Sequence, residues 1–217
     1  MIVQPIYFQQ RKDLPPAMPI RVLIFDWILK SFISPDHHKS VIDLGCGPGL
    51  FARRYRNLGL SVRAVDARND RIDLEEDFEN IEFAQQDIRE SALEGFDIIS
   101  ILGLFYHLTL EDQINLLNRI PKHTITIMET QIYVRDHVTK KGKSRLTPVS
   151  QSGFRGAIWQ EPGNQVSTAS WNNSESFWHG PKSLNKIFRQ SGFKALILVE
   201  PKFMSIYASR GYFIGFK

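Results

Sequence analysis

Two hydrophobic periods alternate along most of the chain. Short, mostly apolar runs at 40–44, 61–66, 80–85, 96–102 and 123–130 read as buried strands, while the stretches at about 49–58, 70–77 and 110–119 carry the spacing of amphipathic helices. Strand and helix in alternation predict a parallel sheet with crossover helices. Ahead of this series, residues 20–33 form a predicted helix that is apolar on more than one side, through Val22, Leu23, Phe25, Trp27, Ile28, Leu29 and Phe32, and is therefore expected to be buried. Ser34-Pro35-Asp36 ends it. Residues 1–19 hold four prolines without a period and are expected to lie as an irregular arm. The rhythm breaks again at 131–180, a polar stretch rich in Gly, Ser, Asn and Trp, and a segment of that length reads as a lid or binding loop. A helix at about 181–191, a strand at 194–199, a loop through Pro201 and a last strand at about 206–216 follow, the closing strands being expected to pair antiparallel. The prediction is one α/β domain over 1–217, doubly wound, with an N-terminal arm and helix (1–35) and a lid-like insertion (131–180).

Composition narrows this picture only slightly. A chain of 217 residues that is 42% hydrophobic supports one sizeable core and is short for two. Its net charge of +4 and pI near 9.2 are compatible with an anionic substrate or a nucleic acid and require neither. Part of the charge lies in Lys140-Lys141-Gly142-Lys143-Ser144-Arg145, read as a solvated loop. A single cysteine, Cys46, excludes an intrachain disulfide framework. The N-terminus lacks the order of a signal peptide, so the expected location is cytoplasmic. The apolar run Ile20 to Ile33 is too short to span a bilayer and carries Asp26 and Lys30, so no membrane partner is expected.

Candidate chemistry centres on Val41-Ile42-Asp43-Leu44-Gly45-Cys46-Gly47-Pro48-Gly49-Leu50-Phe51, a strand running into glycines at every second position and then into a helix. Such a turn brings bare backbone against a ligand. A dinucleotide fingerprint places its third glycine one position later, where this chain has Leu50, and its pyrophosphate needs a helix N-terminus aimed at it. The spacing here, with Asp43 before the first glycine, instead suits a nucleoside cofactor without phosphates and with a cationic amino-acid tail. Two acids follow in order at strand ends. Asp66 can accept from both ribose hydroxyls, and Asp87 lies within reach of an adenine amino group; the bland alternatives are a turn residue and a helix cap.

These residues, with the segment Phe96-Asp97-Ile98-Ile99-Ser100-Ile101-Leu102-Gly103, resemble the class I S-adenosylmethionine-dependent methyltransferases, over about 20–130 and again from about 171 to the end. The resemblance implies a Rossmann-like seven-stranded sheet with its last strand antiparallel and helices on both faces. It also implies S-adenosylmethionine as cofactor. Gly45 and Gly47 would receive the methionine portion with Asp43 near its ammonium, Cys46 serving only as a small residue inside the motif. Asp66 and the adjacent Ala67 would meet the ribose, Asp87 and Ile88 would bracket the adenine, and Leu102 and Gly103 would line the methionyl side.

The next segment, Gly103-Leu104-Phe105-Tyr106-His107-Leu108, is similar to the Gly-Leu-Tyr-His-Leu type of small-molecule methyltransferases. His107 is the candidate catalytic base, the alternative being an imidazole that only hydrogen-bonds the loop. Glu129 and Gln131, at the end of the fifth strand, are candidate acceptor contacts or satisfied strand-end residues. Trp159, Trp171 and Trp178 are candidate walls of an acceptor pocket, or else pins for a long loop. No Cys/His cluster has zinc spacing, so no metal is expected. The expected activity is methyl transfer from S-adenosylmethionine to an oxygen or nitrogen of a small-molecule acceptor. Two alternatives stay open: RNA modification, because Phe177-Trp178-His179 and the segment after it resemble tRNA uridine carboxymethyltransferases, and a non-catalytic binder of the cofactor.

Overall fold

A computed structural model of the chain describes residues 1–7, 19–70, 78–164, 166 and 169–217. Its strands are β1 (Ile2–Tyr7), β2 (Ser40–Leu44), β3 (Ser61–Asp66), β4 (Glu82–Gln85), β5 (Ile98–Leu102), β6 (Ile125–Ile132), β7 (Leu146–Gln151), β8 (Phe154–Gln160), β9 (Glu175–His179), β10 (Ala195–Met204) and β11 (Ser209–Phe216). Eight of them form one sheet in the order β1-β10-β11-β6-β5-β2-β3-β4, and β7-β8-β9 form a second. In the large sheet only β11 runs against its neighbours, as expected of the last strand.

Helices cover both faces. α1 (Ile20–Phe32) and α2 (Ala52–Asn57) pack on one side, where Ile24, Phe25, Ile28, Ala52 and Tyr55 meet Val41, Val62 and Ile98. α3 (Leu110–Arg119) and α5 (Pro181–Gln190) pack on the other, where Leu116, Leu117, Leu184, Ile187 and Phe188 meet Ile42, Leu44, Ile99 and Ile101. Neighbouring positions of β2 and β5 thus feed opposite cores, and the central strands are apolar on both faces because both faces are covered. Among the described residues no helix is long and apolar enough to cross a membrane.

Four expectations are corrected, each for a physical reason. Residues 2–7 are not an irregular arm: they pair parallel with β10 as an eighth, edge strand, where Pro5 is tolerated because an edge position can do without its N–H. α2 begins at Ala52 rather than near 49, because Gly49 has φ +73° and cannot continue into a right-handed helix. β10 runs through Pro201 to Met204, with a register shift between Val199 and Phe203 in place of a loop. The insertion folds into the second sheet, its first hairpin closed by Ser152 and Gly153, both at positive φ as a tight two-residue turn requires. Residues 140–143 within it form a single helical turn, α4, whose lysines are exposed. The helix expected near 70–77 lies almost wholly outside the described residues.

Candidate active site

The carboxyl ends of the parallel strands open into a cavity of about 390 Å³, at the sheet edge where α/β folds place ligands. The glycine turn forms one wall. Gly45 N and Cys46 N donate to Val65 O at 2.8 and 3.1 Å, and Gly45, Gly47 and Gly49 have φ of +68°, +51° and +73°. The backbone of the turn itself therefore demands glycine at all three positions, and a Cβ on Gly45 would also stand 3.0 Å from Leu104 Cδ1.

The acids sit as their strands dictate. Asp66, ending β3, accepts from Gly47 N at 2.8 Å and from Arg68 N at 2.9 Å, which braces the turn and leaves lone pairs on a carboxylate that borders the cavity. Asp87 accepts from Arg89 N and Arg89 Nη1, so it makes the local turn of the bland reading and lines the cavity as well, beside Ile88. Asp43 lies beneath the turn and is 1% exposed. Ser100 Oγ donates to its Oδ1 at 2.6 Å, and its Oδ2 is buried without a hydrogen-bond partner. Burial foremost, reinforced by Asp66 and opposed by Ser100 and Arg21, raises this carboxyl from 3.8 to about 7. Cys46 borders the cavity, but burial pushes its thiol up and removes it as a nucleophile at neutral pH. Ala67, Leu102 and Gly103 complete this side.

His107 also lines the cavity and is held by several contacts. Its Nδ1 lies 3.0 Å from Glu161 Oε1, and Glu161 also accepts from Ser176 Oγ at 2.7 Å and Ser170 N at 3.1 Å. Burial works against ionisation of Glu161, but the bonds from His107, Ser176 and Ser170 prevail and hold it below the usual carboxylate range. The His107 carbonyl accepts from Ser170 Oγ and Asn173 Nδ2. Below it, the buried Gln113 amide of α3 donates to the carbonyls of Phe105, Leu108 and Phe177, and its oxygen is 2.9 Å from His179 Nε2. His179 is buried, which lowers it to about 3, so it stays neutral and ties Gln113 to Ser183.

The insertion reaches the cavity at Ala169, Ser170 and Trp171. Arg68 donates to Asn164 O at 2.7 Å and stands over the Trp171 ring at 5.1 Å, while Arg89 joins Asp87, Asp112 and Asn173. Trp171 is thus brought to the cavity. Trp159 and Trp178 are not: they stack on each other at 5.0 Å within a buried cluster with Leu146, Ala157 and Ala208, and Trp178 meets the edge of Tyr106 from behind. Gln131 is buried and accepts from Ser205 Oγ. Glu129 is fully buried behind the wall, with Arg21 Nη2 at 2.9 Å and Arg210 Nε at 2.6 Å.

Sequence reasoning missed Arg21, Arg210 and the pairing of Glu161 with His107. Arg21 carried one weak signal, a guanidinium in the first turn of a mostly apolar helix; Glu161 carried none, being 54 positions from its partner. Among the described residues no group of His, Cys, Asp and Glu is placed to hold a metal ion.

A family model described as a methyltransferase domain matches residues 20–198. Among solved structures, the N-terminal domain of EvdMO1 with SAH bound superposes with a TM-score of 0.66 at 15% identity, over 91% of this chain and 81% of that one. A SAM-dependent methyltransferase from Archaeoglobus fulgidus superposes at 0.57 and 14% identity over 91% and 94%. The 1,6-didemethyltoxoflavin-N1-methyltransferase of Burkholderia thailandensis, solved with bound 1,6-didemethyltoxoflavin and S-adenosylhomocysteine, gives 0.57 and 13% over 90% and 76%. At these identities the likeness is one of fold. No curated protein matches the sequence.

Proposed function

This chain belongs to the methyltransferase domain family, and from that premise we propose that it transfers a methyl group from S-adenosylmethionine to an oxygen or nitrogen of a small-molecule acceptor. The observation that carries the reading is the order of groups along the sheet edge. Asp87 and Ile88 after β4, Asp66 and Ala67 at the end of β3, and Gly45 and Gly47 after β2 border one cavity in the order adenine, ribose, amino-acid tail. Asp43 lies beneath this turn, outside the cavity lining, and its buried, unpartnered Oδ2 is the kind of carboxylate oxygen that an ammonium group on the far side of the glycines would satisfy.

When bound, S-adenosylmethionine supplies a methyl group on a sulfonium; transfer breaks the methyl–sulfur bond, forms the bond to the acceptor and leaves a neutral thioether. The chain's own work is alignment, exclusion of water and proton removal. His107 takes the proton of an acceptor hydroxyl as the new bond forms, and Glu161 holds Nδ1–H so that Nε2 carries the free lone pair. The insertion acts as a lid: it supplies Glu161, Ser170 and Trp171, so closing the cavity and orienting the base are one event.

Asp66→Ala should weaken S-adenosylhomocysteine binding about 10- to 100-fold by calorimetry, the loss expected for charge-assisted hydrogen bonds to two ribose hydroxyls. Unchanged affinity would refute the placement of the ribose.

A further inference from the structure

Beyond the glycine turn, three side chains from three elements line the cavity, Arg21 from α1, Tyr106 from the turn after β5 and Arg210 from β11, with Glu129 of β6 buried behind them. Because β11 runs backwards, its first residues reach the carboxyl edge, with Arg210 paired to Gln131. Glu129 is wholly buried and touches both guanidinium groups. Both guanidinium groups line the cavity, so each can offer it N–H donors besides those that meet Glu129. Arg21 Nε and Arg210 Nε are buried without a hydrogen-bond acceptor in line. A guanidinium group facing a partly enclosed site is matched best by an anionic oxygen.

The two guanidinium groups flank Gly103, where a Cβ would stand 2.7 Å from Arg21 Nη2 and 3.6 Å from Arg210 Nη2, and they differ in their other contacts. Arg21 stands over Phe51 at 4.6 Å, on the side of the glycine turn, where the cofactor's own carboxylate would be met. Arg210 stands over the Tyr106 ring at 4.9 Å, and its Nη2 donates to the Tyr106 hydroxyl at 2.6 Å. That phenol, accepting from Arg210, keeps its own hydrogen to donate. The Tyr106 and His107 rings are 4.3 Å apart. Along the sheet, β11 and β6 lie on the far side of β5 from the strands that carry the nucleoside residues, so this corner belongs to the acceptor.

We propose that the methyl acceptor is an acid, its anionic group seated on Arg210 and the Tyr106 hydroxyl, with its reacting oxygen or nitrogen beside His107. This rests on the reading that S-adenosylmethionine fills the other half of the cavity.

Benzoate and benzamide, equal in shape and different in charge, test it on the full chain saturated with S-adenosylhomocysteine. Benzoate should bind, benzamide should bind at least about tenfold more weakly, and Arg210→Met should erase most of that difference while S-adenosylhomocysteine affinity stays as in the wild type. Tyr106→Phe, which keeps the ring and its packing, should weaken benzoate by a smaller factor. Absence of benzoate binding, equal binding of the two probes, or benzoate affinity unaffected by Tyr106→Phe and by a folded Arg210→Met would each overturn the proposal. So would loss of S-adenosylhomocysteine in Arg210→Met, which would assign Arg210 to the cofactor. Failure of the wild type to bind S-adenosylhomocysteine is a separate result, and it overturns the cofactor reading together with this one.

Discussion

His107→Ala should lower kcat by about 10²- to 10⁴-fold and leave S-adenosylhomocysteine binding unchanged, the range observed when a positioned general base is removed. The loss is confined to chemistry because the imidazole is not among the groups proposed to hold the cofactor. Its carbonyl anchors Ser170 and Asn173, so those loop bonds survive the substitution, and only the ring's bond to Glu161 is lost. Glu161→Gln should cause a smaller loss in kcat of the same kind, since the amide still fills the site but no longer bears the charge that steadies a protonated imidazole. The measurement is steady-state turnover of an acceptor found in a metabolite panel. A loss below about tenfold for His107→Ala would demote the imidazole to a structural role, the outcome for an acceptor that needs no base.

Asp43→Asn should stabilise the free protein while weakening cofactor binding. The folded-state carboxyl is raised from 3.8 to about 7, so the folded chain binds this proton more tightly than the unfolded chain does. Below 3.8 both states are protonated and the group has no effect; between 3.8 and 7 the cost of burying the ionised form grows with pH, and above 7 it is complete. The span corresponds to about 4 kcal/mol, to order of magnitude. Urea unfolding should therefore show Asp43→Asn gaining a few kcal/mol above pH 7, a gain that shrinks towards zero as pH falls through this window. An ammonium on the ligand reverses the balance, because the ionised carboxylate then has its partner. In the wild type S-adenosylhomocysteine affinity should fall as pH drops below about 7, and in Asp43→Asn that fall should disappear. Stabilisation without any change in affinity would separate Asp43 from the cofactor.

Residues of this kind gave the proposed donor half of the site a local signal in the sequence. Asp43, Asp66 and Asp87 each lie in or just after a strand whose apolar pattern marks its end, and the fold places consecutive strand ends side by side. Strands at 40–44 and 61–66 and the helix at 110–119 were read with their observed bounds, since each has a clear period and a breaker beyond it. The acceptor half had no such local signal. Arg21 meets Glu129 across 108 positions and Arg210 meets Tyr106 across 104, contacts that exist only once α1 and β11 have docked. The tryptophans stayed undivided between wall and pin for a related reason: an aromatic residue in a polar stretch suits a pocket or a core equally, and the partner ring decides, as Trp178 does for Trp159. Ser152-Gly153 was a readable hairpin signal, but β7 and β8 around it alternate too weakly to announce strands.

The most direct test of the whole account is a calorimetric titration of the wild-type chain with S-adenosylhomocysteine and, separately, with NAD⁺. The account predicts saturable binding of S-adenosylhomocysteine at a single site, weakening as pH falls below about 7, and no binding of NAD⁺. No heat from S-adenosylhomocysteine, or equal binding of NAD⁺, would contradict it.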